Sequence, residues 1–286
     1  MNKSFIASGG LSLFWRAREF GLLVIGPALE WRVSMRRSVW LFLSVFSMSM
    51  AAAGGPSDSQ GPPKSASALQ LALHYEFLGD QLPRIDDLSG NEHHGLLDSG
   101  EIVYGRRKNA VKLEGKGRVV VRGVPDSLNP ASRSLTVGAF CQPAALNGVL
   151  VAMGDKVNGF SLYLKDGVPH FAVRAQGELF AVAAKEPIAV GQWVHLAGAI
   201  DAKGELWLIT NGWPGASAAG RLIPAKPAES LCVGADPGSP VGEYPAPSPW
   251  QGLVQDVRLY WGFMNRNDYR EEWGEWADLP GCGCKR

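Results

Sequence analysis

Gly191-Gln192-Trp193-Val194-His195-Leu196-Ala197-Gly198-Ala199-Ile200 is followed by Asp201-Ala202-Lys203-Gly204, then by Glu205-Leu206-Trp207-Leu208-Ile209-Thr210 and Asn211-Gly212. Two apolar runs of strand length flank a short polar connector that carries a glycine, the pattern of a β-hairpin. Lys165-Asp166-Gly167 joins another pair of runs in the same way, and Asn211-Gly212 is a further tight turn. Working outward, runs rich in Val, Ile, Leu, Phe, Tyr and Trp recur at 71–78, 110–114, 118–122, 134–142, 148–153, 160–165, 169–175 and 178–183. Others follow at 193–200, 205–210, 230–234 and 252–260. Several have period two: in Leu135-Thr136-Val137-Gly138-Ala139-Phe140-Cys141 one face carries Leu, Val, Ala and Cys. Only 265–276 keeps a helical period, with Asn265 placed to cap and Asp268 three residues on, as in a capping box. A dozen short strands and one terminal helix predict an all-β fold of two packed antiparallel sheets, not a parallel α/β layer.

The chain upstream of this domain has a different character. Met35-Arg36-Arg37, the apolar run 38–50 and Ala51-Ala52-Ala53 have the three parts of a secretory signal, predicted over 35–53. Its apolar core is shorter than the roughly 20 residues a membrane span needs. Residues 1–34 read as an extended or mis-assigned N-terminus, with Met35 as the start. Residues 54–70 are a Gly/Pro/Ser-rich spacer read as a flexible linker, 71–276 form one domain, and 277–286 are a tail with two cysteines. Six of the 28 basic and two of the 27 acidic residues lie in 1–53, leaving 22 and 25, a net charge of −3. Without a basic stripe, nucleic acid is not an expected partner. All four cysteines lie in the part expected to be exported, where disulfides persist. Cys141 and Cys232 fall in strands and read as buried thiols or one disulfide; buried thiols are the expectation, with Cys282 and Cys284 oxidised at the tail.

Three segments resemble one family. The first is Leu73-His74-Tyr75-Glu76-Phe77 with Asp87-Leu88-Ser89-Gly90-Asn91-Glu92-His93-His94-Gly95. The second is Gly191-Gln192-Trp193-Val194-His195-Leu196-Ala197 with the hairpin after it. The third is Leu231-Cys232-Val233-Gly234 with Trp250-Gln251-Gly252-Leu253-Val254-Gln255-Asp256-Val257-Arg258-Leu259-Tyr260. In order and spacing they are similar to laminin-G-like, concanavalin A-like lectin domains across nearly all of 71–276. The resemblance implies a jelly-roll sandwich with a short C-terminal helix, Trp250 packed beneath the last strand, and Ca²⁺ at the sandwich rim. Gln255 and Thr210 depart from the pattern, which has an acidic residue and Asp there.

Enzymes share this sandwich, so catalytic residues must be sought. Retaining glycoside hydrolysis needs two carboxylates about 5–5.5 Å apart. On one strand this would read Glu-x-Asp-x-Glu, and no run does. His93-His94 has no completing zinc ligands in sequence and reads as a solvent-facing turn, while His195 reads as packed in its strand. The expectation is therefore a non-enzymatic binding module, secreted, periplasmic or at the cell surface, with a glycan or an extracellular protein as partner. A diverged carbohydrate-active enzyme and a structural envelope protein are the alternatives. Loop oxygens suited to Ca²⁺ are offered by Asp155, Asn158, Asp236 and Glu243. Trp213 and Tyr244, beside Pro and Gly rather than inside apolar runs, are the expected sugar-stacking rings.

Overall fold

A pleated strand sends alternate side chains to opposite faces, so the period-two runs must lie with one face against a core. The computed structural model describes residues 69–274. The expected signal peptide, the residues before it, all but the last two residues of the linker and the tail with Cys282 and Cys284 lie outside the described residues. The first strands are β1 (Gln70–Tyr75), β2 (Arg84–Ile85), β3 (Gly95–Leu97), β4 (Glu101–Tyr104), β5 (Asn109–Glu114) and β6 (Val119–Val121). Next come β7 (Leu135–Pro143), β8 (Gly148–Gly154), β9 (Gly159–Lys165), β10 (Val168–Ala175) and β11 (Glu178–Ala183). The chain continues through β12 (Val194–Ile200), β13 (Leu206–Thr210), β14 (Trp213–Ala218), β15 (Leu231–Val233), β16 (Gln251–Trp261) and the helix α1 (Arg266–Trp273).

The strands make two antiparallel sheets of eight, the sandwich expected. One runs β14-β13-β12-β7-β16-β5-β4, with β1 also on β16. The other runs β11-β10-β9-β8-β15-β6-β3-β2. Leu73, Val137, Leu196 and Val257 from the first sheet and Leu162, Phe171 and Val233 from the second fill the space between them. Each sheet also has a cover on its outer face. On the first, Tyr269 and Trp273 of α1 pack on Phe140, Ala197, Ala199 and Tyr260. Gly138 makes room, since a Cβ there would press on Trp273 and Ala197. On the second, Tyr244 packs against Val149, Ala152, Tyr163 and Ala172.

All twelve expected strands are present, and Asp166-Gly167 and Asn211-Gly212 take the positive φ angles that tight hairpins require. Four strands were not expected. β2, β3 and β4 are two to four residues long, and β14 holds Pro214-Gly215, which a sheet edge tolerates because its outward N–H needs no partner. Cys141 and Cys232 are buried free thiols on different sheets, as expected. Burial pushes Cys232 up to about 12. Trp250 is buried as expected. His93 corrects an expectation: it is buried, not solvent-facing, because Tyr75 Oη donates to its carbonyl and Ser127 Oγ meets its Nε2 at 3.2 Å. The buried Asp87 carboxylate organises that turn, accepting from the backbone N–H groups of His74, Ser89 and His93.

Candidate binding face

The loop residues expected to bind are engaged within the fold. Asp155 Oδ1 accepts from Val157 N–H at 2.6 Å and Asn158 N–H at 3.0 Å, closing its own turn. Asn158 Oδ1 accepts from Gln176 N–H, and Glu243 pairs with Lys165 at 3.1 Å. Asp236 is buried, and its Oδ2 accepts from Val241 N–H at 3.0 Å and Tyr244 Oη at 2.6 Å. Burial raises the Asp236 carboxyl above the usual range despite those two donors. Asp155 lies close enough to Asp236 for its charge to add to that rise, and Lys156 N–H donates to Ser239 Oγ, so these two loops meet, whereas Glu243 is drawn to Lys165.

The two rings are no freer. Tyr244 also reaches Ser161 Oγ at 2.8 Å and lies edge-on to Tyr163, so it fastens its segment to the second sheet. Trp213 is half-buried with the Arg266 guanidinium 3.9 Å above its ring centre. The loops are also split between the two ends of the sandwich. Residues 155–158 precede β9, whereas the turn after β9 binds Leu146 and Ile188, at the end where Asn211 borders a cleft with Ile188 and Gln192. β9 spans seven residues, a separation of roughly 20 Å.

One grouping that no single strand reveals does assemble, on the outer face of the first sheet. His74, Glu76 and Asp256 bring their ligand atoms within 4.8 Å of one another. They come from β1, the residue after it, and a bulge in β16 where Asp256 takes φ +53°. The cluster also sets two carboxylates, Glu76 and Asp256, side by side, but its chemistry points away from catalysis. Arg258 grips Asp256 at 2.7 and 2.9 Å, His74 Nε2 lies 2.9 Å from it, and Lys108 sits 2.6 Å from Glu76. Burial alone would raise the Asp256 carboxyl, but the bonds from His74 and Arg258 outweigh it and hold it near 2. An acid catalyst needs a raised pKa and access to substrate. Asp256 is only 2% exposed and meets neither need. The cluster instead locks β1 and the 105–108 loop to β16.

Beside this lock the same sheet face is open. A cleft of about 710 Å³ lies over β4, β5, β16 and β7, with Val190 and Gly191 as its wall. Val103 and Leu253 give it an apolar floor, and Lys112, Glu114, Gln142 and Gln251 give it donors and acceptors. The register sets their order: Gln142 is opposite Leu253, Leu253 opposite Lys112, and Gln251 opposite Glu114. Gln142 Nε2 donates to the Gly191 carbonyl at 2.8 Å, and Lys112 pairs with Glu114 at 2.7 Å, so both polar ends are pre-positioned. Gly252, at φ +127°, lets β16 approach β7 closely here, since a Cβ would fall against the Gln142 carbonyl oxygen. Sequence reading missed this surface because its residues lie on four strands far apart in the chain.

A family profile described as the concanavalin A-like lectin/glucanases superfamily matches residues 115–268, more than half of the chain. The chain belongs to the concanavalin A-like lectin/glucanases superfamily. Among solved structures of this lectin-like fold, domain 4 of AbnA, an extracellular arabinanase from Geobacillus stearothermophilus solved with arabinotriose, is 21% identical. The match has a TM-score of 0.57 and covers 71% of this chain and 98% of that one. The binding domain of Paraclostridial Mosquitocidal Protein 1 is 16% identical, with a TM-score of 0.57, covering 73% of this chain and 53% of that one. The botulinum neurotoxin serotype D binding domain is 13% identical, with a TM-score of 0.53, covering 72% and 52%. The chain thus spans about half the length of the toxin binding domains. No curated protein sequence matches it. Among the described residues no helix is long and apolar enough to cross a membrane.

Proposed function

We propose that the protein is a non-catalytic carbohydrate-binding module that acts outside the cytoplasm, exported through the signal at 35–53. The observation that carries this reading is the open cleft on the first sheet, where Gln142, Gln251, Lys112 and Glu114 stand around Leu253 and Val103. Sugars present both hydroxyls and apolar C–H faces, and mixed polar and apolar lining on rigid strands suits both. The arabinotriose bound to the similar AbnA domain supports the ligand class. We read this binding as independent of Ca²⁺, since Asp155 Oδ1, Asp236 Oδ2 and Glu243 already accept bonds or pair within the fold.

Titration of a neutral glycan panel against the exported protein tests this. A bound glycan should lose about tenfold in affinity, or about 1.4 kcal/mol, in Gln142→Ala and in Lys112→Ala. Chelation with EDTA and Asp155→Ala should leave affinity unchanged. Binding to no glycan, or binding abolished by EDTA, contradicts the proposal.

A further inference from the structure

We infer that the ligand is a neutral oligosaccharide chain laid across the strands, with Trp193 as a stacking platform at one end of its track; this rests on the glycan-binding reading above. Trp193 stands apart from the other tryptophans among the described residues. The indole N–H groups of Trp207, Trp213, Trp250 and Trp273 are buried, and that of Trp261 donates to the Ser127 carbonyl. Trp193 is half-buried, and its N–H is neither buried nor bonded. The ring packs in part on the cluster beneath α1, and what stays exposed offers a ligand apolar surface and a donor, the combination that suits an amphipathic ring to a wet interface.

Its position joins it to the cleft. Val194 is opposite Cys141 in the register of β12 and β7, so one residue further Trp193 falls opposite Gln142. Gln142 is opposite Leu253, Leu253 opposite Lys112, and Lys112 opposite Glu101. Trp193, just before β12, and Gln142, Leu253, Lys112 and Glu101 on four strands thus form one row. Four strand spacings of about 4.8 Å make that row roughly 19 Å long, more than a single sugar ring occupies. Trp193 itself lines a second cleft of about 460 Å³ with Glu186, Gln192 and Thr210, on the far side of the Val190–Gly191 wall, over which the oligosaccharide chain passes from one cleft to the other. Lys112 and Glu114 cancel each other's charge, so the cleft favours a neutral chain over an anionic one.

The test uses linear neutral gluco-, xylo- and arabino-oligosaccharides from one to six units, titrated against the whole protein and two variants. Affinity should climb with length and then level off. Trp193→Ala should weaken binding of the longer chains at least tenfold while leaving the shortest bound ligand unaffected. Trp193→Phe, which keeps packing and an aromatic face, should retain most affinity but lose the ligand-induced change in tryptophan fluorescence. Thermal melting of both variants separates lost contact from lost fold. Equal affinity for one unit and for long chains overturns the inference while leaving the glycan reading intact. So does undiminished long-chain binding by Trp193→Ala, or by Trp193→Phe with the fluorescence change preserved if Trp193→Ala does not fold. Binding of no chain by the unmodified protein overturns both.

Discussion

His195 shows how one side chain can bind the fold to pH. It is fully buried on the outer face of the first sheet, 4.8 Å from the Phe140 ring and 4.7 Å from Trp273, centre to centre. Neither ring nitrogen has a hydrogen-bond partner. Burial drives its pKa down to about 3, with Asp256 opposing and Arg258 adding to the fall. The fold therefore holds the ring neutral, whereas the unfolded chain takes up a proton below about pH 6.5. Between about pH 6.5 and pH 3 the unfolded state binds more protons, so this residue's contribution to stability falls with pH by about 1.4 kcal/mol per unit. Denaturant unfolding from neutrality to about pH 4 should show that slope, and His195→Leu should lose that part of it; parallel curves for the two proteins would refute this role. The strand position of His195 was legible in the sequence. The burial of Tyr244 and Asp236 was not, because Pro and Gly around them mark a loop but cannot say that the loop lies down on a sheet.

At the scale of the element, β16 and α1 organise the first sheet. β16 keeps β7 on one side throughout and has β5, then β1, on the other. The change of partner falls at the Asp256 bulge, which a period-two pattern cannot show because it assumes unbroken pairing. The helix was legible, since Asn265 accepts from Asn267 and Asp268 N–H while Asp268 returns a bond to Asn265 N–H. Caps are worth about 1 kcal/mol, whereas truncating a buried tryptophan costs about 3–5 kcal/mol. Packing, not capping, is therefore what holds α1 in place. Thermal unfolding should show a loss of about 1 kcal/mol for Asn265→Ala and several times more for Trp273→Ala. Equal losses would mean that Trp273 is not the anchor.

For the whole molecule, the sandwich could be read from strand-length runs and glycine turns because each signal is local. The candidate binding surface could not, because Lys112, Gln142, Trp193 and Leu253 become neighbours only through antiparallel register. Loop carboxylates drew attention instead, and the fold spends them on turns and ion pairs. The claim that the open sheet face is the binding surface is tested most directly by backbone amide NMR with the tightest-binding oligosaccharide. Shifts clustered at Lys112, Gln142, Gln251 and Leu253, extending to Trp193, are the predicted result. Shifts confined to residues 155–158 and 236–244 would contradict it.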